Sequence, residues 1–362
     1  MNTRARAELL AAVSRDFPKL GELSVVDILE WVRMELGHEE ILDGFRPYGG
    51  HFAKAQLIGP VLHVLSGNTP HAGLQTVFRA ALLGGHHFLK YPTTGLPEVA
   101  DFVLRVRECA EFEESESGTR EVPKDWLRDA AACVVFGSDE TIAHFRSILP
   151  SSVVLDAHGH RWSLGLVFDD PRCESAALAA RDVAAFNQQG CLSPHDIYVA
   201  GDARQYAEVL AKQLQQIEKQ DPRGAVSVHE SAEIAGMRAN YRFRAVSDPR
   251  VGLWESDGST AWTVIYEEDP WFAPSCLNRT VFVKPLPETP EKMVAAMGPS
   301  LPWVAAVGVW PATPETAEYA CALSPSRICP LGSMQQPTLS WHQEGRQSLS
   351  PLVRWIDFEP AD

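Results

Sequence analysis

The sequence of 362 residues lacks a basic surplus, because 32 lysines and arginines stand against 47 aspartates and glutamates, a formal net charge of −15. Proteins that bind nucleic acid nonspecifically need a basic surface for the phosphate backbone, so this composition argues against that class. A small basic pocket for a cofactor phosphate is compatible with it. The mean hydropathy of −0.14 is typical of globular proteins and excludes a disordered or fibrous chain.

Paired cysteines, long apolar runs and internal repeats are also missing. The seven cysteines are odd in number and form no CxxC pair: Cys109, Cys133, Cys173, Cys191, Cys276, Cys321 and Cys329. This usage favours reduced thiols in the cytosol. Charged residues interrupt the first apolar stretch, so no signal peptide is expected, and the longest apolar runs fall short of a bilayer span. We therefore expect a cytoplasmic protein with no membrane span and no nucleic-acid partner.

Short apolar runs alternate with helical patterns between residues 61 and 157. The sequence predicts strands over 61–67, 86–92, 131–137 and 152–157, and helices over 71–85, 96–112 and 139–149. This alternation predicts a largely parallel α/β sheet. The second half has a less regular rhythm, with predicted helices at 173–189 and 203–220 and strands at 195–201, 260–268 and 278–286. We place a domain change near 160–170, since a chain of this length averages about two domains.

Ligands of parallel sheets bind beyond the carboxyl ends of the strands, and several polar residues follow the predicted strands. Ser66, Gly67 and Asn68 follow the first strand. Asn68 has two interpretations, a helix N-cap and an amide donor to an oxyanion, and the two are compatible. Lys90 ends the second strand, where a lysine lies at the solvent edge or meets a nucleotide ribose or phosphate.

Two further positions belong to this edge. Gly137 and Ser138 open a helix after the third strand, where backbone N–H groups can bind phosphate, although the GxGxxG pattern is absent. Asp156 ends the fourth strand. His158 and His160 form an HxH pair, but no cysteine or carboxylate cluster with metal-ligand spacing lies nearby, so no metal is expected.

Cys191 is the candidate nucleophile, because it lies in a Gly/Ser/Pro turn between a predicted helix and a predicted strand. Backbone N–H groups in such a turn favour the thiolate and can hold an oxyanion. The alternative is a packing cysteine.

Five blocks join these residues into a pattern: GNTPHAG at 67–73, FLKYPTT at 88–94, VVFGSDETIAHFR at 134–146, FNQQGCLSPHDIYV at 186–199 and SRICPLGSMQQPTLSWHQEG at 326–345. Their order resembles the LuxC-type acyl-CoA reductases of the aldehyde dehydrogenase superfamily. The resemblance implies an α/β fold with a Rossmann-type dinucleotide-binding domain and an α/β catalytic domain. We divide the chain into 1–165 with the N-terminal helices and cofactor domain, 166–330 with Cys191, and a C-terminal tail at 331–362.

The resemblance also implies roles. Cys191 is then the nucleophile, and Asn68 forms the oxyanion hole with the Cys191 N–H. The cofactor contacts are Ser66, Gly67, Lys90, Thr93, Gly137 and Ser138, with Lys90 able to meet a 2′-phosphate. Asp156 stands where hydrolytic relatives carry a glutamate base, but its side chain is shorter and Ala157-His158-Gly159 replaces the usual double glycine.

These roles predict NADPH-dependent reduction of an acyl thioester, on CoA or an acyl carrier protein, to the aldehyde; NADH is the alternative cofactor. Two other functions stay open: an oxidative NAD(P)-dependent aldehyde dehydrogenase, and a non-catalytic acyl-relay or scaffold protein of the same fold. We also expect a homo-oligomer, with an acyl-transferring protein as a further partner.

Overall fold

The chain forms two compact units, and the computed structural model describes residues 1–67, 70–116 and 118–360. The first unit comprises residues 1–160 and 338–362, and the second comprises residues 161–337. Asn68 lies outside the described residues. The assignment of 1–165 to cofactor binding and of 166–330 to catalysis stays a prediction.

The first unit starts with two helices and a hairpin and continues with alternating strands and helices. In chain order its elements are α1 (Thr3–Ser14), α2 (Val25–Leu36), β1 (Arg46–Tyr48), β2 (His51–Leu57), β3 (Val61–Val64), α3 (Pro70–Leu83), β4 (His86–Lys90), α4 (Pro97–Val106), β5 (Glu111–Glu114), α5 (Lys124–Asp129), β6 (Ala132–Phe136), α6 (Asp139–Ile148) and β7 (Val154–His158).

Five of these strands form one sheet in the order β5-β4-β3-β6-β7, and every neighbouring pair in it is parallel. The central strand β3 is buried along its whole length, as expected for a parallel strand covered by helices on both faces. After β3, the chain forms β4 and then β5 on one side of β3, and it later forms β6 and β7 on the other side. The carboxyl ends of β3 and β6 therefore mark the switch point at which doubly wound sheets bind ligands.

The second unit contains a larger sheet. In chain order its elements are β8 (Trp162–Val167), α7 (Ala176–Ala184), β9 (Pro194–Val199), α8 (Ala203–Gln220), α9 (Val228–Ser247), β10 (Val251–Glu255), β11 (Thr263–Glu267), β12 (Thr280–Pro285), α10 (Pro290–Met297), β13 (Val304–Trp310), α11 (Pro314–Cys321) and β14 (Arg327–Pro330). The strand order is β10-β11-β12-β9-β8-β13-β14, and within this described sheet β10 alone is antiparallel to its neighbour.

A last strand, β15 (Val353–Phe358), returns to the first unit. It pairs antiparallel with β2, which also pairs with β1, so that the two chain ends share a three-stranded sheet. The buried Glu35 on α2 also holds this returning segment, because its carboxylate accepts the Leu349 N–H at 2.6 Å. Among the described helices, none is both long and apolar enough to cross a membrane.

The structure differs from the predicted elements at several places. The helix predicted over 173–189 ends at Ala184, and β8 and β13 form where the sequence predicted no element. The helix predicted over 96–112 ends at Val106, and Glu111–Glu114 instead form the edge strand β5. The segment 221–260, for which the sequence predicts no helix, contains the 20-residue helix α9. Its start is fixed by Ser227 and Glu230, which bind each other's backbone N–H groups in a capping box.

Candidate active site

The loops after β3 and β4 pack closely at the carboxyl edge of the first sheet. A Cβ on Gly67 would lie 3.3 Å from the Pro92 Cβ and from the Thr94 Oγ1. A side chain at 67 would therefore make a tight contact with the loop that carries Pro92 and Thr94. This contact places the predicted cofactor residues Gly67 and Thr93 on neighbouring loops. The predicted oxyanion donor Asn68 follows directly in sequence, outside the described residues.

Lys90 is buried at the end of β4, with an exposed fraction of 5 %. Its ammonium group donates to the carbonyl oxygens of Tyr91 and Thr119, both at 2.7 Å. Burial lowers the pKa of Lys90, and no carboxylate of the described residues forms an ion pair with it. The structure thus fixes a positive charge at the strand end instead of leaving this lysine at the solvent edge.

Gly137 and Ser138 connect β6 to α6. A Cβ on Gly137 would approach the Thr141 Cβ to 2.9 Å, so the close turn requires glycine. Ser138 is the N-cap of α6, and its hydroxyl oxygen accepts the Thr141 N–H at 3.3 Å. The first turn carries Asp139 and Glu140, whose charges oppose part of the attraction that this helix start offers an anion.

The end of β7 carries an ionic cluster of Asp156, His158, Glu344 and Arg346. The His158 ring nitrogens lie 3.1 Å from a carboxylate oxygen of Asp156 and 3.1 Å from one of Glu344. The Arg346 guanidinium lies 3.3 Å from Asp156 and 3.6 Å from Glu344. The His158 ring also stacks on Phe136, with ring centroids 4.5 Å apart.

The members of this ionic cluster shift one another's pKa values. Burial alone would raise the pKa of Asp156, but the hydrogen bond with His158 and the nearby positive charges outweigh it, so this pKa lies below its ordinary value. Burial alone would lower the pKa of His158, but the two carboxylates outweigh it and raise this pKa. Asp156 is therefore an engaged and weakly basic carboxylate, poorly suited to activating water.

Cys191 lies in the second unit, in the loop between α7 and β9. All seven cysteines are reduced, and the two exposed ones are Cys191 and Cys321. The turn from Gly190 is closed by the Ser193 N–H, which donates to the Gly190 carbonyl at 2.9 Å. The Ser163 hydroxyl on β8 donates to the Cys191 carbonyl at 2.8 Å, so the nucleophile candidate has a fixed backbone.

The other cysteines give a contrast. Burial raises the pKa of Cys109 and Cys329 to about 11 and that of Cys133 to about 12. It also raises the pKa of Cys173 and Cys276. Their raised pKa values keep these five thiols protonated at neutral pH.

The sequence profile of the acyl-CoA reductase (LuxC) family matches residues 22–355. The chain belongs to this family. Two curated relatives are named long-chain acyl-protein thioester reductases: that of Aliivibrio fischeri is 24 % identical over 91 % of this chain and 70 % of its own length, and that of Photobacterium leiognathi is 23 % identical with the same coverage.

Solved structures agree with the fold. A NAD-dependent aldehyde dehydrogenase from Sinorhizobium meliloti superposes with a TM-score of 0.69 at 14 % identity, over 100 % of this chain and 84 % of its own. An indole-3-acetaldehyde dehydrogenase solved with NAD⁺ gives a TM-score of 0.71 at 14 % identity, over 99 % and 84 %. The predicted aldehyde dehydrogenase-like α/β fold and the LuxC resemblance are confirmed.

In this LuxC-family chain, two residues near Cys191 support the cysteine but were not predicted from the sequence. Ser163 holds the Cys191 carbonyl, and Gln188 is fully buried three residues before the cysteine. The block FNQQGC contains Gln188, but a single glutamine in sequence does not reveal its partners. The structure therefore groups Gly67, Lys90, Gly137 and Asp156 along one edge of the first-unit sheet and anchors Cys191 within the second unit.

Proposed function

We propose that this protein reduces a long-chain acyl thioester to the aldehyde, with NADPH as reductant and Cys191 as the acyl-carrying nucleophile. The observation that carries the proposal is the exposed Cys191 thiol in a turn anchored by Ser163, in a chain of the acyl-CoA reductase family. The names of the curated relatives support an acyl thioester on a protein, and the family description supports one on CoA.

The carboxyl edge of the first sheet fits a nicotinamide dinucleotide. Gly67 and Gly137 let the loops at this edge pack closely, which leaves their backbone N–H groups uncovered by a side chain of their own, and Lys90 supplies a fixed positive charge for a ribose or its 2′-phosphate. A bound dinucleotide supplies the hydride. In the proposed arrangement Lys90 and Thr93 hold the adenosine ribose, while Ser66, Gly137 and Ser138 face the pyrophosphate.

Cys191 performs the covalent chemistry. Its thiolate attacks the thioester carbonyl, the bond from the acyl carbon to the carrier sulfur breaks, and the carrier thiol leaves with a proton. The Cys191 N–H donates to the oxyanion, and the family resemblance gives Asn68 the same role. After hydride has reached the acyl carbon, the bond to the Cys191 sulfur breaks, and the aldehyde leaves.

Asp156 favours reduction over hydrolysis in this scheme. An acyl-enzyme that waits for hydride must be protected from water, and a carboxylate that binds His158 and Arg346 is a poor general base. The same contacts argue against the oxidative alternative, which needs water to attack the acyl-enzyme.

The test is the intact mass of the protein after incubation with a long-chain acyl thioester without cofactor. An acyl adduct on the wild type that is absent from the Cys191→Ala variant supports the scheme. An equal adduct on the variant overturns it. NADPH oxidation with acyl-CoA and acyl-protein thioesters of varied chain length then identifies the substrate.

A further inference from the structure

The side-chain amide of Gln188 forms the hydrogen bonds that a backbone peptide group would form between the starts of β9 and β12. Its side-chain oxygen accepts the Thr280 N–H at 2.7 Å, and its amide nitrogen donates to the Thr280 carbonyl at 2.7 Å. The same nitrogen donates to the Pro194 carbonyl at 2.8 Å. The pairing of β9 with β12 starts at Asp196 and Phe282, so Pro194 and Thr280 precede it, and the buried amide of Gln188 joins the two strands there.

The backbone that carries Gln188 is strained. Phe186, Asn187 and Gln188 have φ angles of 51°, 53° and 64°, the left-handed region that residues other than glycine rarely adopt. Such strain persists only where the surroundings fix it, and it is concentrated at functional sites. Here the fixing contacts come from the Gln188 side chain, three residues before Cys191.

The strand start that Gln188 binds is itself held firmly. Leu277, Asn278 and Arg279, directly before Thr280, have φ angles of 59°, 54° and 62°. Arg279 has an exposed fraction of 1 % and donates to the Glu218 carboxylate at 2.9 Å. The Gln188 side-chain amide therefore joins two strained turns, 186–188 and 277–279. The turn that carries Cys191 comes directly after the first of them in sequence.

We propose that Gln188 is a positioning residue for Cys191. Its amide fixes the direction in which the chain enters the Gly190–Cys191 turn, while Ser163 fixes the Cys191 carbonyl from the other side. Together they hold the Cys191 N–H and thiol in one orientation toward the acyl carbonyl. The proposal rests on Cys191 being the nucleophile, as argued above.

The test compares Gln188→Asn, which keeps the amide but retracts it by one methylene, with the matched control Gln189→Asn. Gln189 is the adjacent residue of the same type, and its amide donates to the side chains of Asn278 and of Glu230 on α9, at 3.2 Å and 3.3 Å. The measurement is the burst of thiol release from an acyl thioester without cofactor, read as amplitude and as rate constant, with KM from steady-state turnover.

We expect Gln188→Asn to lower the acylation rate constant and kcat by roughly tenfold or more, since small misplacements of reacting groups have such effects. Burst amplitude and KM stay near the wild-type values. If Gln188 had only a structural role, the variant would show a lower burst amplitude, because less of the protein would be folded, and an unchanged acylation rate constant. A rate constant for Gln188→Asn within about twofold of that for Gln189→Asn overturns the proposal.

A second variant covers the case in which Gln188→Asn does not fold. Gln188→Glu keeps the side-chain length and the acceptor for the Thr280 N–H, but its carboxylate cannot donate to the Thr280 and Pro194 carbonyls. Protonation restores one donor, so the ratio of its acylation rate constant to the wild type rises as the pH falls. A pH-independent ratio contradicts the proposal, whereas an acyl adduct on Cys191→Ala contradicts the proposed function instead.

Discussion

The end of β7 and the Cys191 turn are held by opposite kinds of contacts. At β7, Asp156, His158 and Arg346 are joined by charge, with separations of 3.1 to 3.3 Å. At the Cys191 turn, the anchors Ser163 and Gln188 are neutral and bind backbone groups. The contacts of the first region therefore depend on pH through its own members, whereas the hydrogen bonds of Ser163 and Gln188 to backbone groups have no titrating donor or acceptor.

This difference matches what each region has to do in the proposed reaction. Neutral anchors orient the backbone that carries Cys191. In the ionic cluster, His158 and Arg346 bind the Asp156 carboxylate, which would otherwise be available to activate water. Substitutions at the Cys191 turn are therefore expected to lower mainly activity. Substitutions in the ionic cluster at β7 are expected to lower mainly the free energy of unfolding.

The largest expected effect is that of Cys191→Ala. Loss of the nucleophile lowers NADPH-dependent reduction of acyl thioesters by roughly 10³-fold or more. Cys321→Ala is the matched control, since Cys321 is the other exposed thiol. Turnover measured on purified variants checks the prediction, and equal losses in both would remove Cys191 from its role.

His158→Gln tests the ionic cluster. Loss of the charged hydrogen bonds lowers the free energy of unfolding by about 2 kcal/mol. His158 has a raised pKa, so its stabilisation is complete below the unfolded value of about 6.5 and disappears as the pH rises through its folded pKa. Asp156 has a lowered pKa, so its stabilisation is present above about 3.9 and disappears as the pH falls through its folded pKa.

The difference in stability between wild type and His158→Gln is therefore largest in the mildly acidic range. Urea unfolding at a series of pH values measures it. His144→Gln, on an exposed position of α6, serves as the control and changes little. A wild-type advantage that grows steadily toward alkaline pH would contradict the assigned direction of the His158 pKa.

The sequence predicted the parallel sheet of the first unit because buried strands such as β3 and β4 appear as short apolar runs. It missed β5, whose EFEE contains one apolar residue at an edge of the sheet. It missed α9 because only Ile234 and Arg238 of that helix are buried, which leaves no apolar stripe. The capping box of Ser227 and Glu230 was the available signal.

For the candidate site, residue type in the sequence suggests candidates but not the contacts that support them. Cys191 and Lys90 are candidates because of their residue type at the ends of elements, and their roles stay predictions. Gln188 was not, since its partner Thr280 lies 92 residues further along the chain and only the strand pairing of β9 with β12 brings them together. The engagement of Asp156 was hidden for the same reason, because Glu344 and Arg346 come from the returning C-terminal segment.

Ser163→Ala removes one of the two neutral anchors of the Cys191 turn. It removes the donor to the Cys191 carbonyl and the acceptor for the Ala306 N–H at 3.2 Å, so unfolding becomes easier by about 1 to 2 kcal/mol and kcat falls several-fold. Ser326→Ala is the control, since its hydroxyl also donates to a strand carbonyl, that of Ala305, at 2.9 Å. Both variants lose stability, and only Ser163→Ala loses kcat; equal kcat values would leave Ser163 with a structural role alone.

The smallest expected effect is that of Lys90→Met, which keeps the stem of the side chain and removes its charge. A 2′-phosphate distinguishes NADPH from NADH, so loss of a fixed positive charge lowers the ratio of kcat/KM for NADPH to that for NADH by about threefold. Lys124→Met, an exposed lysine on α5, leaves the ratio unchanged. Since the Lys90 ammonium is held by the Tyr91 and Thr119 carbonyls and not by a carboxylate, its charge is not cancelled locally in a chain of net charge −15. Equal losses with both dinucleotides would mean that Lys90 contacts the ribose but does not select the phosphate.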